Sequence, residues 1–404
     1  MRIALTVNGP GETAGWLRPL LRRLYARAPA TEVHLFCVPD DYATGSEAAV
    51  ARALFPAARV YEPKEYVKVA LGGRVEGLPA SVDVVQYLGG DLMHAVRLHA
   101  RLGGAATTYK FSRRRYARRF ARAFSVDAAN DAQLLAWGTP AERIRRVGNL
   151  VIDGALLEAA NSPGEGAPLD GVLFMPGSRR YEIEHLVPFF FTVALRMRAE
   201  DPSLPIAFGI SPFTSLEAVR DAVDRGGHPR IFAQRGAMVE ERGAAFLVTL
   251  DGRARFPIVR EALAAAALAR LTVTLPGTKV IELAALGKPT VAISPLNIPE
   301  EIAINGPLTY LNRLPLVGAP LKRAAVLAVA RRHRYHTQPN IDAGEMLVHE
   351  LHGTLTPGRV ARVALDRYVD RAWLARTAEA LGALYAEHVG AADAMAGALL
   401  ELAG

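Results

Sequence analysis

The sequence predicts an α/β fold made of two doubly wound domains. The chain has 404 residues, which is too many for a single hydrophobic core, so two domains are the first expectation. Short apolar runs alternate with helical patterns twice along the chain, starting at Ile3 and again at Gly171. Between these halves, residues 161–168 are polar and contain glycine and proline, as expected of an interdomain linker.

The first domain, predicted over residues 1–160, opens with a strand, a turn and a helix. Residues Ile3–Val7 form a continuous apolar run, which is typical of a parallel strand buried on both faces. Residues 8–12 carry glycine and proline that break this run, and an amphipathic helix begins near Trp16. Further strands are predicted over residues 33–38 and 82–88.

The second domain, predicted over residues 170–358, repeats this order. A strand over 171–175 leads to the turn Pro176-Gly177-Ser178 and then to a helix from Arg179. The residues that follow 358, from 359 to 404, are rich in alanine and leucine with helical spacing. We therefore predict a helical tail that packs back on the first domain or on a dimer partner. Further strands of the second domain are predicted over residues 205–210, 244–250 and 271–275.

Composition favours a folded cytoplasmic protein with one basic region. Half of the residues are apolar, and the net charge is +8. Cys37 is the only cysteine, which excludes an internal disulfide and fits a reducing compartment. The longest apolar stretch, 186–195, is about half as long as a membrane-spanning helix must be. Six arginines lie between Arg113 and Arg122, which indicates a local basic patch.

The turn Pro276-Gly277-Thr278 is a candidate binding site for a diphosphate. It follows a predicted strand and precedes a predicted helix, so free backbone N–H groups at the helix N-terminus would favour an anion. Gly277 would allow the backbone to approach the ligand closely. Glu282, four residues further along, could accept hydrogen bonds from a ribose diol. The alternative is an ordinary turn with Glu282 exposed to solvent.

Two other turns carry polar groups that could act on a ligand. In the turn after residue 175, Ser178 could cap a helix, and Arg179 could bind phosphate oxygens. After the strand that ends at Leu88, Asp91 follows two glycines and could serve as a general base. Capping of the next helix is the simpler role for both Ser178 and Asp91.

Residues 111–124 predict a helix with an aromatic stripe and many arginines. Tyr116, Phe120 and Phe124 recur every four residues, which is more often a core-facing than a membrane-facing pattern. The arginine density also suits anionic lipid or a phosphorylated acceptor. The residues assigned to such a membrane contact are Arg114, Arg118, Phe120 and Arg122.

Several function classes lack their motifs. No dinucleotide-binding glycine fingerprint and no phosphate-binding loop of the Walker type occurs, and no nucleic-acid-binding motif accompanies the arginines. The histidine pairs His333/His336 and His349/His352 have no third ligand at an established spacing, so we expect packing or surface histidines and no metal.

Taken together, the motifs resemble the lipid-A-disaccharide synthase family. For example, Leu173–Ile183 is similar to the family's Leu-Leu-Pro-Gly-Ser-Arg-x-x-Glu-Ile. Two departures are notable, because Trp16 replaces an acidic residue and Gly89-Gly90-Asp91 replaces an Asp-Ala-Pro-Asp pattern. The other similar segments are Gly11-Glu12-Thr13-Ala14-Gly15-Trp16, Val82-Asp83-Val84-Val85 with Gly90-Asp91, Val147-Gly148-Asn149 with Asp153, Gly277-Thr278 with Glu282, Gly287 and Pro289, and Gln338 to Glu345 with Glu350-Leu351.

The resemblance implies a GT-B fold, in which two Rossmann-like domains face a cleft. It also implies an inverting, metal-independent and cofactor-free glycosyltransferase of lipid A biosynthesis, which moves a sugar from a UDP-sugar to a lipid-linked or glycolipid acceptor. Asp91 would deprotonate the acceptor, and the enzyme would be a homodimer at the inner face of a membrane. The donor would contact Gly177, Ser178, Arg179, Pro276, Gly277, Thr278, Glu282 and Asn340. The acceptor would contact Gly11, Glu12 and Trp16.

Two alternative functions use the same fold. A UDP-sugar 2-epimerase would act on a free nucleotide sugar, would need acidic and histidine residues around the sugar, and would not need the basic aromatic segment. A non-catalytic protein that binds a nucleotide sugar or lipid would retain the fold without the chemistry.

Overall fold

The structure, a computed structural model, describes residues 1–39, 47–163, 166–212, 214–301 and 318–403. These residues form two compact units. Unit 1 consists of Met1–Leu157 with Ala386–Gly404, and unit 2 consists of Glu158–Tyr385. The division at 157/158 falls just before the predicted linker, part of which lies outside the described residues. The C-terminal tail is divided at Tyr385 and does not form one separate segment from residue 359.

Unit 1 contains a parallel sheet, which in the described residues has seven strands in the order β3-β2-β1-β4-β5-β6-β7. The strand order reverses between β1 and β4, which pair directly through Ile3↔Val84 and Thr6↔Tyr87. Such a reversal opens a crevice at the carboxyl ends of the two strands. The strands are β1 Arg2–Val7, β2 Glu32–Cys37, β3 Arg59–Tyr61, β4 Val84–Tyr87, β5 Ala105–Tyr109, β6 Arg122–Ser125 and β7 Ile144–Arg146.

Helices cover the sheet of unit 1, and the last helix of the chain belongs to this layer. This helix, Ala391–Glu401, packs against Arg18–Arg27, and its Met395 and Leu399 are fully buried in the same core as Leu24. The other helices of unit 1 are α1 Pro10–Glu12, α2 Arg18–Arg27, α3 Glu47–Leu54, α4 Pro63–Ala70, α5 Leu92–Leu102, α6 Ala128–Ala136 and α7 Leu150–Ala159, whose last two residues lie in unit 2.

Unit 2 contains a mixed sheet, which in the described part of the chain has eight strands in the order β10-β11-β12-β9-β8-β13-β14-β15. Strands β10 to β12 pair antiparallel, and the rest pair parallel. The strands are β8 Val172–Met175, β9 Ile206–Gly209, β10 Ala237–Glu241, β11 Ala244–Val248, β12 Arg255–Val259, β13 Leu271–Thr274, β14 Thr290–Pro295 and β15 His349–Gly353.

The helices of unit 2 bury the most apolar segment of the sequence. Phe189, Phe190 and Phe191 are fully buried in the core of this unit, which explains the apolar run at 186–195. No helix of the described residues is both long and apolar enough to cross a membrane. The helices are α8 Val187–Glu200, α9 Leu216–Arg225, α10 Ala262–Leu268, α11 Thr278–Ala285, α12 Gly318–Arg332, α13 Gln338–Ala343, α14 Pro357–Val369 and α15 Arg371–Leu384, and the terminal helix of unit 1 is α16 Ala391–Glu401.

The predicted fold class is confirmed, since both units are Rossmann-like α/β sheets and the chain ends in helices. The predicted helix over 111–124 is wrong. This segment forms a turn, a short 3-10 helix over Ala117–Arg119 and strand β6. Tyr116 and Phe120 are buried in one core cluster and Phe124 in another, so their regular spacing does not come from one helical face.

A buried histidine couples the stability of unit 1 to pH. His34 lies in β2 with 1% of its surface exposed, and its Nδ1 is 3.0 Å from the Tyr61 hydroxyl. Burial lowers the pKa of His34 from 6.5, and the nearby Glu32 carboxylate partly opposes this shift. In the window between the depressed folded pKa and 6.5, the unfolded chain binds more protons than the folded chain. The resulting stability is complete above 6.5 and is lost as the pH falls through the folded pKa.

We predict that His34→Gln makes the free energy of unfolding less dependent on pH below 6.5, whatever its effect at neutral pH. Urea titrations at several pH values between 7.5 and 5, followed by circular dichroism, would measure the slope of the free energy of unfolding against pH. The exposed His333→Gln is the matched control and should leave the slope unchanged. An identical slope in His34→Gln and in the unmodified protein would contradict the linkage.

Candidate functional site

Two strand ends of unit 2 bring the two predicted glycine turns together. Strands β8 and β13 are neighbours, and Met175 is in register with Thr274 at their carboxyl ends. The Thr274 hydroxyl donates to the Met175 carbonyl at 2.8 Å, and this bond joins the two strands where the turns begin. Each turn leads into a helix, so two helix N-termini lie side by side at this edge of the sheet. Helix N-termini attract anions because their first N–H groups point outward.

The turn after β13 leaves its helix N-terminus open. No side chain caps α11, and Gly277 and Thr278 are exposed to solvent. Gly277 has φ +151°, and a Cβ placed there would meet nothing within 4 Å. The space in front of the first N–H groups of α11 is therefore accessible, as the predicted diphosphate site requires.

Glu282 is not the solvent-exposed carboxylate that an ordinary turn would have. It is 6% exposed, and its Oε2 lies 2.6 Å from Lys279 Nζ on the same helix. Burial raises the pKa of Glu282, and the positive charge of Lys279 acts against this rise. The lysine side chain itself is 38% exposed, so a cation lies at the first turn of α11 beside its open N-terminus. For Glu282 to hold a ribose, as predicted, it would have to share its oxygens with Lys279.

The turn after β8 leads into the helical segment Glu182–Leu186, which continues into α8, and a side chain of this segment fills its N-terminus. The Glu182 carboxylate accepts hydrogen bonds from the backbone N–H groups of Ser178 and Arg179, at 2.8 and 2.9 Å. Gly177 has φ +96°, and a Cβ at this position would collide with the same carboxylate. An anion at these N–H groups would have to displace Glu182. The Arg179 side chain is 69% exposed, and its Nη1 lies 3.8 Å from the other oxygen of the same carboxylate. Sequence reasoning did not assign this role to Glu182, although its position in the first helical turn is a signal for capping.

Asn340, predicted to contact the donor, is used inside the protein. It is fully buried, its Oδ1 accepts from Val348 N, and its Nδ2 donates to Val348 O and to Glu350 Oε1. The Glu350 carboxylate also accepts from the backbone and hydroxyl of Thr337. The amide of Asn340 has no group left for a ligand in this arrangement, so its observed role is to hold the loop before β15.

Asp91, the predicted general base, caps helix α5 at the carboxyl end of β4. Its Oδ1 accepts from Met93 N at 2.8 Å, and its Oδ2 pairs with Arg113 Nη1 at 2.8 Å. The capping alternative therefore describes its geometry, and a proton-accepting role would require release of Arg113. Sequence reasoning missed Arg113 as the partner, because the two residues are brought together only by the pairing of β4 with β5.

Of the predicted acceptor residues, Glu12 lies near Asp91 at the edge of the unit 1 sheet. Glu12 is in the short helix after β1, and β1 pairs with β4. Burial raises the pKa of Tyr87, and the charges of Glu12 and Asp91 raise it further, which places both carboxylates near this hydroxyl. Gly11 is exposed. Trp16 packs edge-on against Tyr109, with ring centroids 5.4 Å apart, and so contributes to the core of unit 1.

The residues assigned to a membrane contact are not equivalent in the structure. Phe120 is 1% exposed and cannot insert into a bilayer without unfolding its surroundings, so this assignment is wrong. Arg114 and Arg118 are exposed. Arg122 donates to the Glu142 carbonyl at 3.3 Å. In the described residues, no group of three or more histidine, cysteine, aspartate or glutamate side chains could hold a metal ion.

No protein-family model matches this chain, and a search of curated proteins finds no match. Solved structures do match. A UDP-GlcNAc 2-epimerase from Neisseria meningitidis, bound to UDP-GlcNAc, has a TM-score of 0.55 with 10% identity over 99% of this chain and 100% of that one. A second UDP-N-acetylglucosamine 2-epimerase has a TM-score of 0.54 with 12% identity over 93% of this chain and 90% of that one. These likenesses show the fold.

The predicted membership of the lipid-A-disaccharide synthase family is wrong on this comparison, because the structural neighbours just described are UDP-N-acetylglucosamine 2-epimerases. The predicted inverting transfer to a lipid-linked acceptor is corrected with it, since it came from that resemblance. The motifs misled because strand, glycine turn and helix recur in every domain of this architecture. The 2-epimerase alternative fits these neighbours better.

We predict that Asp91→Ala lowers the free energy of unfolding by about 1 kcal/mol relative to Asp91→Asn, because asparagine caps a helix as well as aspartate and alanine does not. Urea denaturation at neutral pH would measure the difference. Both variants lose the exposed ion pair with Arg113, so this loss does not contribute to the difference in stability between them. Equal stability of the two variants would show that capping by Asp91 does not stabilise the protein.

Proposed function

We propose that the protein binds a UDP-sugar at the carboxyl edge of the unit 2 sheet and inverts the sugar at C2. The observation that carries the proposal is the pair of adjacent helix N-termini after β8 and β13, one of which is open. The fold neighbours support the choice of ligand, since one of them is bound to UDP-GlcNAc and is a 2-epimerase by name.

The charges around this edge suit a diphosphate. The open N-terminus of α11 supplies backbone N–H groups at Thr278 and the positive end of the helix dipole. Lys279 and Arg179, both with exposed side-chain surface, supply cations that could move onto phosphate oxygens. Glu182 blocks the other N-terminus, so we place the diphosphate at α11 in this proposal.

Epimerisation leaves the atoms of the substrate unchanged but requires proton transfers. C2 of the sugar has no neighbouring carbonyl to stabilise a carbanion, so loss of its proton must accompany departure of UDP from C1, which leaves a double bond between C1 and C2. Return of UDP to C1 and of a proton to the opposite face of C2 then gives the epimer. Unit 1 carries two carboxylates, Glu12 and Asp91, at the ends of neighbouring strands, with His94 one turn into α5. His94 Nδ1 lies 2.7 Å from the Tyr66 hydroxyl, which orients the ring. Asp91 stays the candidate for proton transfer, and this role requires release of its ion pair with Arg113.

Association with a membrane surface is a separate proposal that rests on charge alone. Arg114 and Arg118 are exposed, and no ion pair joins them to a carboxylate in the described residues. Such a patch would bind anionic lipid weakly and would lose binding in salt. The homodimer rested on the family resemblance that is now corrected.

We predict that Thr278→Asp weakens UDP binding at least about tenfold without loss of thermal stability. A carboxylate at the first turn of α11 stabilises the helix through its dipole but repels the diphosphate. Thr278→Asn is the matched neutral control and should bind UDP much as the unmodified protein does. Isothermal titration calorimetry with UDP would measure affinity, and thermal denaturation would measure stability. Unaltered UDP binding by Thr278→Asp would refute the site.

The activity has its own measurement. Incubation of the unmodified protein with UDP-GlcNAc in deuterated water should yield the C2 epimer with deuterium at C2, observed by proton NMR. Asp91→Asn should bind UDP normally and lose the exchange if Asp91 takes part in proton transfer. Binding of UDP without exchange by the unmodified protein would refute the epimerase proposal while leaving the binding site intact.

A further inference from the structure

An arginine at the end of β12 has hydrogen-bonding capacity that the protein does not use. Arg260 follows Val259, the last residue of the strand, and its guanidinium is half-buried. Nη2 donates to the Thr214 carbonyl at 2.9 Å. Nη1 is inaccessible to solvent and has no hydrogen-bond partner, and no ion pair to this guanidinium forms among the described residues. A buried N–H group without an acceptor destabilises the folded protein.

A second orphaned donor lies on the residue that Arg260 contacts. Thr214 is 6% exposed, and its hydroxyl also lacks a partner. The turn that carries it follows β9, which pairs with β12 through Gly209↔Val259. Glycine at position 209 lets β9 lie close to Ala262, because a Cβ there would lie only 2.9 Å from the Ala262 Cβ. The carboxyl edge of the sheet thus carries a guanidinium and a hydroxyl on residues in contact with each other, and each has a buried donor without an acceptor.

We propose that Arg260 Nη1 and the Thr214 hydroxyl form a subsite for an anionic oxygen, of the carboxylate or phosphate type. Both groups can donate, and the positive charge lacks a bonded counter-charge, so an anion satisfies both deficits. Burial lowers the pKa of Arg260, with the neighbouring Glu261 acting against this, which agrees with a guanidinium short of negative charge.

The subsite is separate from the diphosphate position proposed at α11. Strand β12 is three strand positions from β13 in the sheet, which is about 14 Å at the usual spacing between strands. A diphosphate at the β13 turn cannot reach that far. The anion is therefore either an acidic substituent on the sugar of a nucleotide sugar or a free ion such as phosphate. Binding of a free ion would not depend on the proposed epimerase function.

The test uses two variants of the full chain. Arg260→Met removes the charge, and Thr214→Val removes the hydroxyl while leaving the backbone bond to Arg260 Nη2 in place. Thr214→Val keeps the proposal testable if Arg260→Met does not fold. The probes are inorganic phosphate, UDP-N-acetylglucosamine and UDP-glucuronate, whose sugar bears a carboxylate, each measured by isothermal titration calorimetry.

Two results would support the subsite. If the anion belongs to the sugar, both variants should bind UDP-glucuronate at least about tenfold more weakly while binding UDP-N-acetylglucosamine as before. If the anion is free, both should lose binding of inorganic phosphate with no change for either nucleotide sugar. Unaltered binding of all three probes would overturn the proposal. Equal weakening of both nucleotide sugars would also overturn it, because the residues would then belong to the nucleotide site.

Discussion

The pairing of strand β8 with strand β13 is the constraint on which the candidate site depends. Their register sets Met175 against Thr274, and the threonine hydroxyl closes the pair with a hydrogen bond to the facing carbonyl. Because parallel strands end at the same edge, two turns more than ninety residues apart in sequence begin side by side. Without this register, neither turn would be more than a connection between a strand and a helix.

The two helix N-termini at that edge are chemically different, and one carboxylate makes the difference. Glu182 accepts the first N–H groups of its own helix, whereas no side chain does so at α11. The same device in unit 1 uses Asp91 at the start of α5, where a second bond goes to Arg113. A carboxylate that satisfies a helix is stabilising, but it also fills the place where an anionic ligand would bind. Unfilled positions are therefore the informative ones in this architecture.

Unsatisfied polar atoms extend the same reasoning to the far side of the unit 2 sheet. Most buried donors in proteins are paired, so the unpaired Nη1 of Arg260 and hydroxyl of Thr214, which lie on residues in contact, require an explanation. Asn340 and Glu350 are the contrast, since their buried groups satisfy each other. A buried polar residue can thus be either a structural element or part of a binding site, and its hydrogen-bond partners distinguish the two.

Local pattern in the sequence determined the two α/β units and the strands that lead into the glycine turns, because apolar runs and glycine turns act over a few residues. Partners distant in sequence were decided only by the tertiary structure. The bond of Asp91 to Arg113 and the network around Asn340 depend on strand pairing. The aromatic residues at 116, 120 and 124 were predicted as one helical face, yet they enter two cores. A spacing of four residues fits a helix as well as it fits this irregular segment. Only the tertiary structure shows that the three rings enter different cores.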